Sequence, residues 1–120
     1  MTEDDSLYLI HMLERVRNIE EDVQGGAEVF FGSRTIRDAV IRNLEVLSEA
    51  AKRVSPATRQ AYPGVPWRRI AGLRDVLIHR YERVDANEIW RIAEREMANL
   101  RSQLVAILRA RGIDPEQIPS

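Results

Sequence analysis

Apolar residues recur every three or four positions along four long stretches of this chain, a spacing typical of amphipathic helices. The first stretch ends near Val23, just before the paired glycines Gly25 and Gly26, and Asp4 or Asp5 is the expected cap at its start. Its apolar positions are Leu9, Leu13, Val16 and Val23, widened by Ile10 and Ile19. We therefore predict a first helix that buries this stripe, followed by one short turn that buries Phe30 or Phe31.

The second long stretch has the most regular apolar stripe. Ser33 or Thr35 can cap it, and the pattern continues to about Val54. Its apolar positions follow one another at spacings of four, four, three, four and three: Ile36, Val40, Leu44, Leu47, Ala51 and Val54. Asn43 lies beside this stripe, where a partly buried amide needs hydrogen-bond partners. A structural contact between helices is the simplest interpretation of Asn43, and a supporting role at a site is the alternative.

Proline and glycine separate the remaining helices. Pro56 suits the first position of a short helix that ends near Tyr62, and a turn rich in proline and glycine precedes a helix starting near Trp67. Asp85 and Glu88 are spaced as a capping box for one last helix that ends at Gly112. The core positions of that helix are Ile89, Ala93, Met97, Leu100, Leu104 and Ile107.

No strand pattern interrupts these helices, so the predicted fold class is all-α: an antiparallel bundle of four main helices with one or two short ones. We assign residues 1–112 to a single domain. Residues 113–120 contain two prolines and are expected to form a loose tail.

Composition narrows the class of protein. The 120 residues are 44% hydrophobic and 31% charged, as in a soluble globular protein, and no apolar run approaches the roughly 18 residues of a membrane helix. Cysteine is absent, which excludes disulfides and thiolate metal sites, and we expect a cytoplasmic protein. The net charge of -1 argues against broad nucleic-acid binding but leaves room for a local basic patch.

The segment from Gly72 to Tyr81 carries the candidate chemistry. Arg74 offers a planar cation for phosphate, and His79 can exchange a proton near neutral pH. A helix turns about 100° per residue, so Tyr81 lies nearly in line with Arg74, whereas His79 is rotated about 140° away and lies about 7.5 Å along the axis. One straight helix therefore does not direct Arg74 and His79 at the same atom. Either the helix unwinds near His79, or a second copy of the chain supplies its own helix about a two-fold axis.

Such a composite cleft suits RNA cleavage without a metal. Histidine can remove the proton of a ribose 2′-OH while arginine stabilises the charge that develops on the phosphate oxygens. Metal catalysis is the weaker alternative, because the only histidines are His11 and His79 and no paired metal-ligand motif is present. We expect no metal and no cofactor, and we assign no role to His11. Trp90 is expected to pack rather than to stack on a base. The remaining basic residues of interest are solvated or line an RNA path: Arg34, Arg37, Arg42, Lys52, Arg53, Arg68 and Arg69.

Most of the chain, from Leu7 to about Leu104, resembles the HepT-like toxins of the HEPN superfamily. Four segments carry the resemblance in order and spacing: Asp38–Glu45, Glu49–Arg53, Tyr62–Trp67 and Gly72–Tyr81. The last contains Arg-x4-His-x-Tyr, with the polar residue Asp75 directly after the arginine. The resemblance implies a homodimeric helical bundle and a ribonuclease toxin with Arg74 and His79 as catalytic residues.

The same resemblance implies a partner, a minimal nucleotidyltransferase antitoxin that transfers AMP from ATP to the tyrosine matching Tyr81. Two hypotheses follow. The protein is either the ribonuclease toxin of a type VII-like toxin–antitoxin system, or a non-catalytic helical partner of a nucleotidyltransferase. In the second case, Arg74 and His79 would serve nucleotide or partner binding.

Overall fold

The computed structural model describes residues 2–79 and 85–118, with the side chains of residues 2–4, 76, 78 and 79 outside the description. Every regular element in these ranges is helical. The elements are α1 (Thr2–Asp22), α2 (Ala27–Gly32), α3 (Arg34–Arg53), α4 (Pro56–Ala61), α5 (Trp67–His79), α6 (Ala86–Arg95), α7 (Met97–Ala110) and a 3₁₀ turn at Pro115–Gln117. The predicted all-α bundle is confirmed.

Helix α1 lies at the centre of the bundle, between α3 and α7, and α5 packs on the other side of α3. Contacts at both ends show that α1 and α3 run antiparallel: Asp5 meets Ser55, and Asp22 meets Asn43. Helices α1 and α7 are antiparallel as well, because Arg101 binds Glu20 and Arg111 binds Ser6. Helix α3 therefore links the centre of the bundle to α5, the helix that carries the candidate chemistry.

The predicted apolar stripes form the core. Most of their residues are buried: Leu9, Leu13, Val16, Ile19, Val40, Leu44, Leu47, Ala51, Val54, Ile89, Ala93, Met97, Leu100, Leu104 and Ile107. Ile10, Val23 and Ile36 are only partly buried and pack against this core. Phe30 of α2 is buried, whereas its neighbour Phe31 is 39% exposed. The rings of Phe30 and Trp90 lie 5.3 Å apart, so Trp90 packs against the bundle as predicted.

Two predicted helix starts are confirmed by their hydrogen bonds. The Ser33 hydroxyl accepts from the Ile36 amide at the start of α3, and Pro56 occupies the first turn of α4. The prediction for Asp4 or Asp5 was wrong, because α1 begins at Thr2. Asp5 is instead a buried residue that accepts hydrogen bonds from Ser55 and from the Thr58 hydroxyl.

The C-terminal part differs from prediction at three points. One long last helix was expected, but α6 ends at Arg95 and α7 begins at Met97, while their buried stripe continues across the break. Asp85 caps α6 through the amide of Asn87, and Glu88 pairs with Arg91 instead of closing a capping box. The tail was expected to be loose, but up to residue 118 it packs against the bundle: Ile118 is nearly buried, and its carbonyl accepts a hydrogen bond from Arg17 at 3.1 Å.

None of the helices in the described part of the chain is both long and apolar enough to cross a membrane.

Candidate functional site

Arg74 is positioned from its backbone by a buried serine. Ser48 of α3 is fully buried, and its hydroxyl accepts a hydrogen bond from the Arg74 amide at 2.9 Å. The same hydroxyl donates to the carbonyl of Ala71 at 2.9 Å. Both bonds join α3 to the main chain of α5. The position of the Arg74 backbone along α3 is therefore fixed by the packing of α3 against α5.

The guanidinium of Arg74 is held by a carboxylate that it shares with a second arginine. Glu49 Oε2 lies 3.3 Å from Arg74 Nε, and Glu49 Oε1 lies 3.3 Å from a terminal nitrogen of Arg53. The Arg74 side chain is 41% exposed, so its charge remains available to a ligand. Hydrogen bonds to Tyr8 and Glu49 raise the pKa of Arg53 above its ordinary value.

Arg74 lines a groove of about 420 Å³, which we call the α1–α3 groove. Tyr8 and His11 of α1 line one side of it. Residues of α3 line the other side and the floor: Arg42, Glu45, Val46, Glu49, Ala50 and Arg53. His11 received no role from the sequence, because its position on a charged face gave no sign of the neighbours that α3 and α5 bring.

Of the remaining predicted site residues, Asp75 and His79 lie on α5 together with Arg74. Helix α5 continues through His79, so the backbone positions of Arg74 and His79 keep the separation of about 140° that a regular helix imposes. Of the two alternatives, unwinding of the helix near His79 is not seen within α5. Asp75 is exposed on the same helix. Tyr81 lies outside the described residues.

Asn43 is a structural contact in this chain. Its amide nitrogen donates to Asp22 at 3.3 Å and to the Ala39 carbonyl at 3.0 Å, and its oxygen accepts from Arg15 at 3.2 Å. The bonds with Asp22 and Arg15 join α1 to α3, the bond to Ala39 lies within α3, and Asn43 does not line the α1–α3 groove. These contacts are the ones that the structural interpretation of Asn43 requires.

Metal-binding residues do not cluster in the part of the chain that the structure describes: no group of three or more His, Cys, Asp or Glu side chains is placed to hold an ion. The chemistry available in the described groove is that of guanidinium, carboxylate, imidazole and phenol groups.

The fold and this groove define a small, all-helical protein with a cluster of arginines on α3 and α5. The chain belongs to the HepT-like family: the sequence model described as "Ribonuclease HepT-like" matches residues 10–107.

Named relatives agree with this membership. The chain is 36% identical over 103 residues to a "Putative RNase" of Caldanaerobacter subterraneus subsp. tengcongensis, covering 85% of this chain and 92% of the relative. It is 33% identical over 97 residues to a "Probable ribonuclease HepT" of Thermococcus cleftensis, covering 80% and 88%.

A third relative is longer than this chain. A "Gamma-glutamylcyclotransferase and putative RNase" of Methanocaldococcus jannaschii is 35% identical over 109 residues, which are 90% of this chain but 49% of the relative. The chain thus spans about half of that protein. No solved structure matches the chain.

Proposed function

We propose that this protein is a metal-independent endoribonuclease in which Arg74 and His79 act on an RNA phosphate. The observation that supports this most is the setting of Arg74. Its amide is fixed by Ser48, its Nε is oriented by Glu49, and its guanidinium is partly exposed in a groove. A cation held from two sides and open on the third is suited to stabilise charge that develops during a reaction.

The proposed reaction needs no group beyond the two side chains and the RNA. Neutral His79 takes the proton of a ribose 2′-OH, and the 2′ oxygen attacks the adjacent phosphorus. The bond between phosphorus and the 5′ oxygen breaks, and that oxygen takes up the proton that His79 removed, which returns the histidine to its neutral form. Arg74 stabilises the additional negative charge on the phosphate oxygens. The products are a 2′,3′-cyclic phosphate and a 5′-OH, and DNA is not cleaved because it lacks the 2′-OH.

A homodimer is part of this proposal. Because α5 is helical through His79, the backbone positions of Arg74 and His79 in one chain lie about 140° apart around the helix axis. A second α5 packed about a two-fold axis would place the histidine of one chain near the arginine of the other. The cleft would then contain two arginines and two histidines.

We further propose that the protein is the toxin of a type VII-like toxin–antitoxin system. Its partner would be a minimal nucleotidyltransferase that neutralises it by transferring AMP to Tyr81. Membership of the HepT-like family supports this role, as does the position of Tyr81 in Arg-x4-His-x-Tyr.

The test of the nuclease is cleavage of a single-stranded RNA by the purified chain with excess EDTA. We expect Arg74→Ala and His79→Ala to lower the rate by about 10²- to 10⁴-fold, the range for loss of a group that takes part in proton transfer or charge stabilisation. Circular dichroism and thermal unfolding check that the variants fold. Wild-type rates in both folded variants would contradict the site. A folded wild-type chain that cleaves no RNA would favour a non-catalytic partner of the nucleotidyltransferase.

A further inference from the structure

We propose that the α1–α3 groove binds the RNA strand beside the scissile phosphate, with Arg53 as the ligand of a neighbouring phosphate and the rings of Tyr8 and His11 as a surface for the intervening nucleotide. This inference rests on the proposed function of Arg74. It adds a binding site that adjoins the catalytic Arg74 and is formed entirely by groups of one chain.

The charge of the groove supports a polyanionic ligand. Arginine is the more numerous charged residue there, with Arg42, Arg53 and Arg74 set against Glu45 and Glu49. The whole chain, by contrast, has a net charge of -1. The groove thus has one more arginine than glutamate on a slightly acidic protein, with Arg42 paired to Glu45 at 3.7 Å. Guanidinium groups bind phosphate in a bidentate geometry that lysine cannot supply.

Arg53 and Arg74 lie close enough together to share one carboxylate, as groups that bind neighbouring phosphates of one strand must. A single carboxylate, that of Glu49, reaches both Arg53 and Arg74, with an N–O distance of 3.3 Å on each side. Arg53 is 59% exposed and Arg74 is 41% exposed, so both can turn toward a ligand. In the free protein Glu49 balances their charge, and a phosphate that binds Arg53 competes with that carboxylate.

The size and lining of the groove favour a single strand over a duplex. A volume of about 420 Å³ accommodates one small ligand unit, whereas double-stranded RNA is recognised across a long surface. Tyr8 and His11 are three residues apart on α1, so their rings lie on the same face of the helix. Aromatic rings and arginine planes are the usual platforms for unstacked bases of single strands.

The test measures binding separately from cleavage. The probe is a short single-stranded RNA with 2′-O-methyl groups at every position, which the proposed reaction cannot cleave, and fluorescence anisotropy gives its Kd at several salt concentrations. Arg53→Gln should weaken binding about tenfold at low salt, the effect of losing one charge-assisted hydrogen bond. The slope of log K against log salt should fall by about 0.7, the value for one phosphate contact on a single strand.

Arg91→Gln is the matched control. Arg91 is 48% exposed, is paired with Glu88 on its own helix, and has a raised pKa like Arg53, but it does not line the groove. Its replacement should change Kd by less than about twofold, the effect expected of a distant surface charge. Equal losses in the two variants would reflect overall charge and would overturn the inference.

Glu49→Gln should change the affinity for the probe in the opposite direction from Arg53→Gln. Removing the competing carboxylate charge should tighten binding of the probe, whereas damage to the fold would weaken it. Unchanged or weaker binding in a folded Glu49→Gln variant contradicts the proposed competition, and so does a wild-type chain that does not bind the probe.

Cleavage assays distinguish this inference from the nuclease proposal. If both hold, Arg53→Gln raises KM and leaves kcat within about twofold, because it removes binding without touching the reacting atoms. If the wild-type chain cleaves RNA but Arg53→Gln binds the probe normally, the proposed binding role of the groove is contradicted and the nuclease proposal is supported. If Arg53→Gln weakens binding of the probe but the wild-type chain cleaves no RNA, the binding role of the groove is supported and the nuclease proposal is contradicted.

Discussion

The role of Asp5 in the fold could not be predicted from its local sequence. Burial alone would raise the pKa of this carboxyl. Hydrogen bonds from Ser55 and Thr58 and the positive charge of Arg111 outweigh that effect, so the pKa of Asp5 is lower than usual. A carboxyl with a lowered folded pKa stabilises the protein above its unfolded pKa, and that stability is lost as the pH falls through the folded value.

We therefore expect Asp5→Asn to lower the free energy of unfolding by about 1–3 kcal/mol at pH 7, the cost of weakening hydrogen bonds to a buried charged group. The difference from wild-type should shrink as the pH falls below about 4, the unfolded value for aspartate. Urea unfolding at several pH values measures both effects.

Asp22→Asn is the control with the opposite sign. Burial raises the pKa of Asp22, a hydrogen bond from Asn43 partly opposes this, and the charge of Glu21 adds to it. The ionised form of Asp22 is thus disfavoured in the folded state, and its protonation stabilises the fold as the pH falls. A pH profile for Asp5→Asn that matches the profile for Asp22→Asn would contradict the assignment.

Tyr81 carries the regulatory part of the proposal. AMP on its hydroxyl would add a negative phosphate that competes for Arg74 and repels RNA, by the electrostatics of phosphorylation switches. Tyr81→Phe should therefore remain a nuclease but escape the antitoxin. Intact-mass measurement after co-expression should show mass added in multiples of one AMP at Tyr81. Full neutralisation of an unmodified chain would favour inhibition by simple binding.

At the scale of the element, Gly72 is the unusual position in α5. It lies inside the helix, and a Cβ there would meet none of the described atoms within 4 Å. Alanine should therefore stabilise the isolated chain by about 0.5–1 kcal/mol, since glycine is a poor helix former. Chemical unfolding at low protein concentration measures this effect.

Gly72 also tests how α5 meets a second copy. It is seven residues before His79, so the two positions lie within about 20° on the helix surface. If another α5 packs on that face, the added methyl group should weaken dimerisation while it stabilises the single chain. An unchanged dimer dissociation constant for Gly72→Ala would place the interface elsewhere on α5.

The sequence predicted the helices well because each apolar stripe reflects which face is buried. It could not predict the break at Glu96, because the stripe from Ile89 to Ile107 continues through it without a proline or glycine. It also missed Ser48, since a serine on a helix gives no sign of which main-chain groups it will meet. The groove was missed for the same reason: Tyr8, Arg53 and Arg74 come together only through packing of α1, α3 and α5.

At the scale of the whole molecule, the proposed chemistry needs two chains. We expect light scattering to show a dimer at micromolar concentration. Mixing Arg74→Ala chains with His79→Ala chains should restore part of the activity, because one of the two composite sites in a mixed dimer keeps both groups. A monomer with full activity, or mixed chains that remain inactive despite exchanging subunits, would contradict the composite site.

Ser48 has a consequence for how the two helices can move. Its one hydroxyl holds both the Arg74 amide and the Ala71 carbonyl. Sliding α5 along α3 would break both bonds together, whereas tilting the helices about this point would keep both. Ser48 is therefore a pivot, and rearrangements of this pair should resemble the opening of scissors. Ala71 and Arg74, whose main chains are bonded to Ser48, would then move less than the ends of α5.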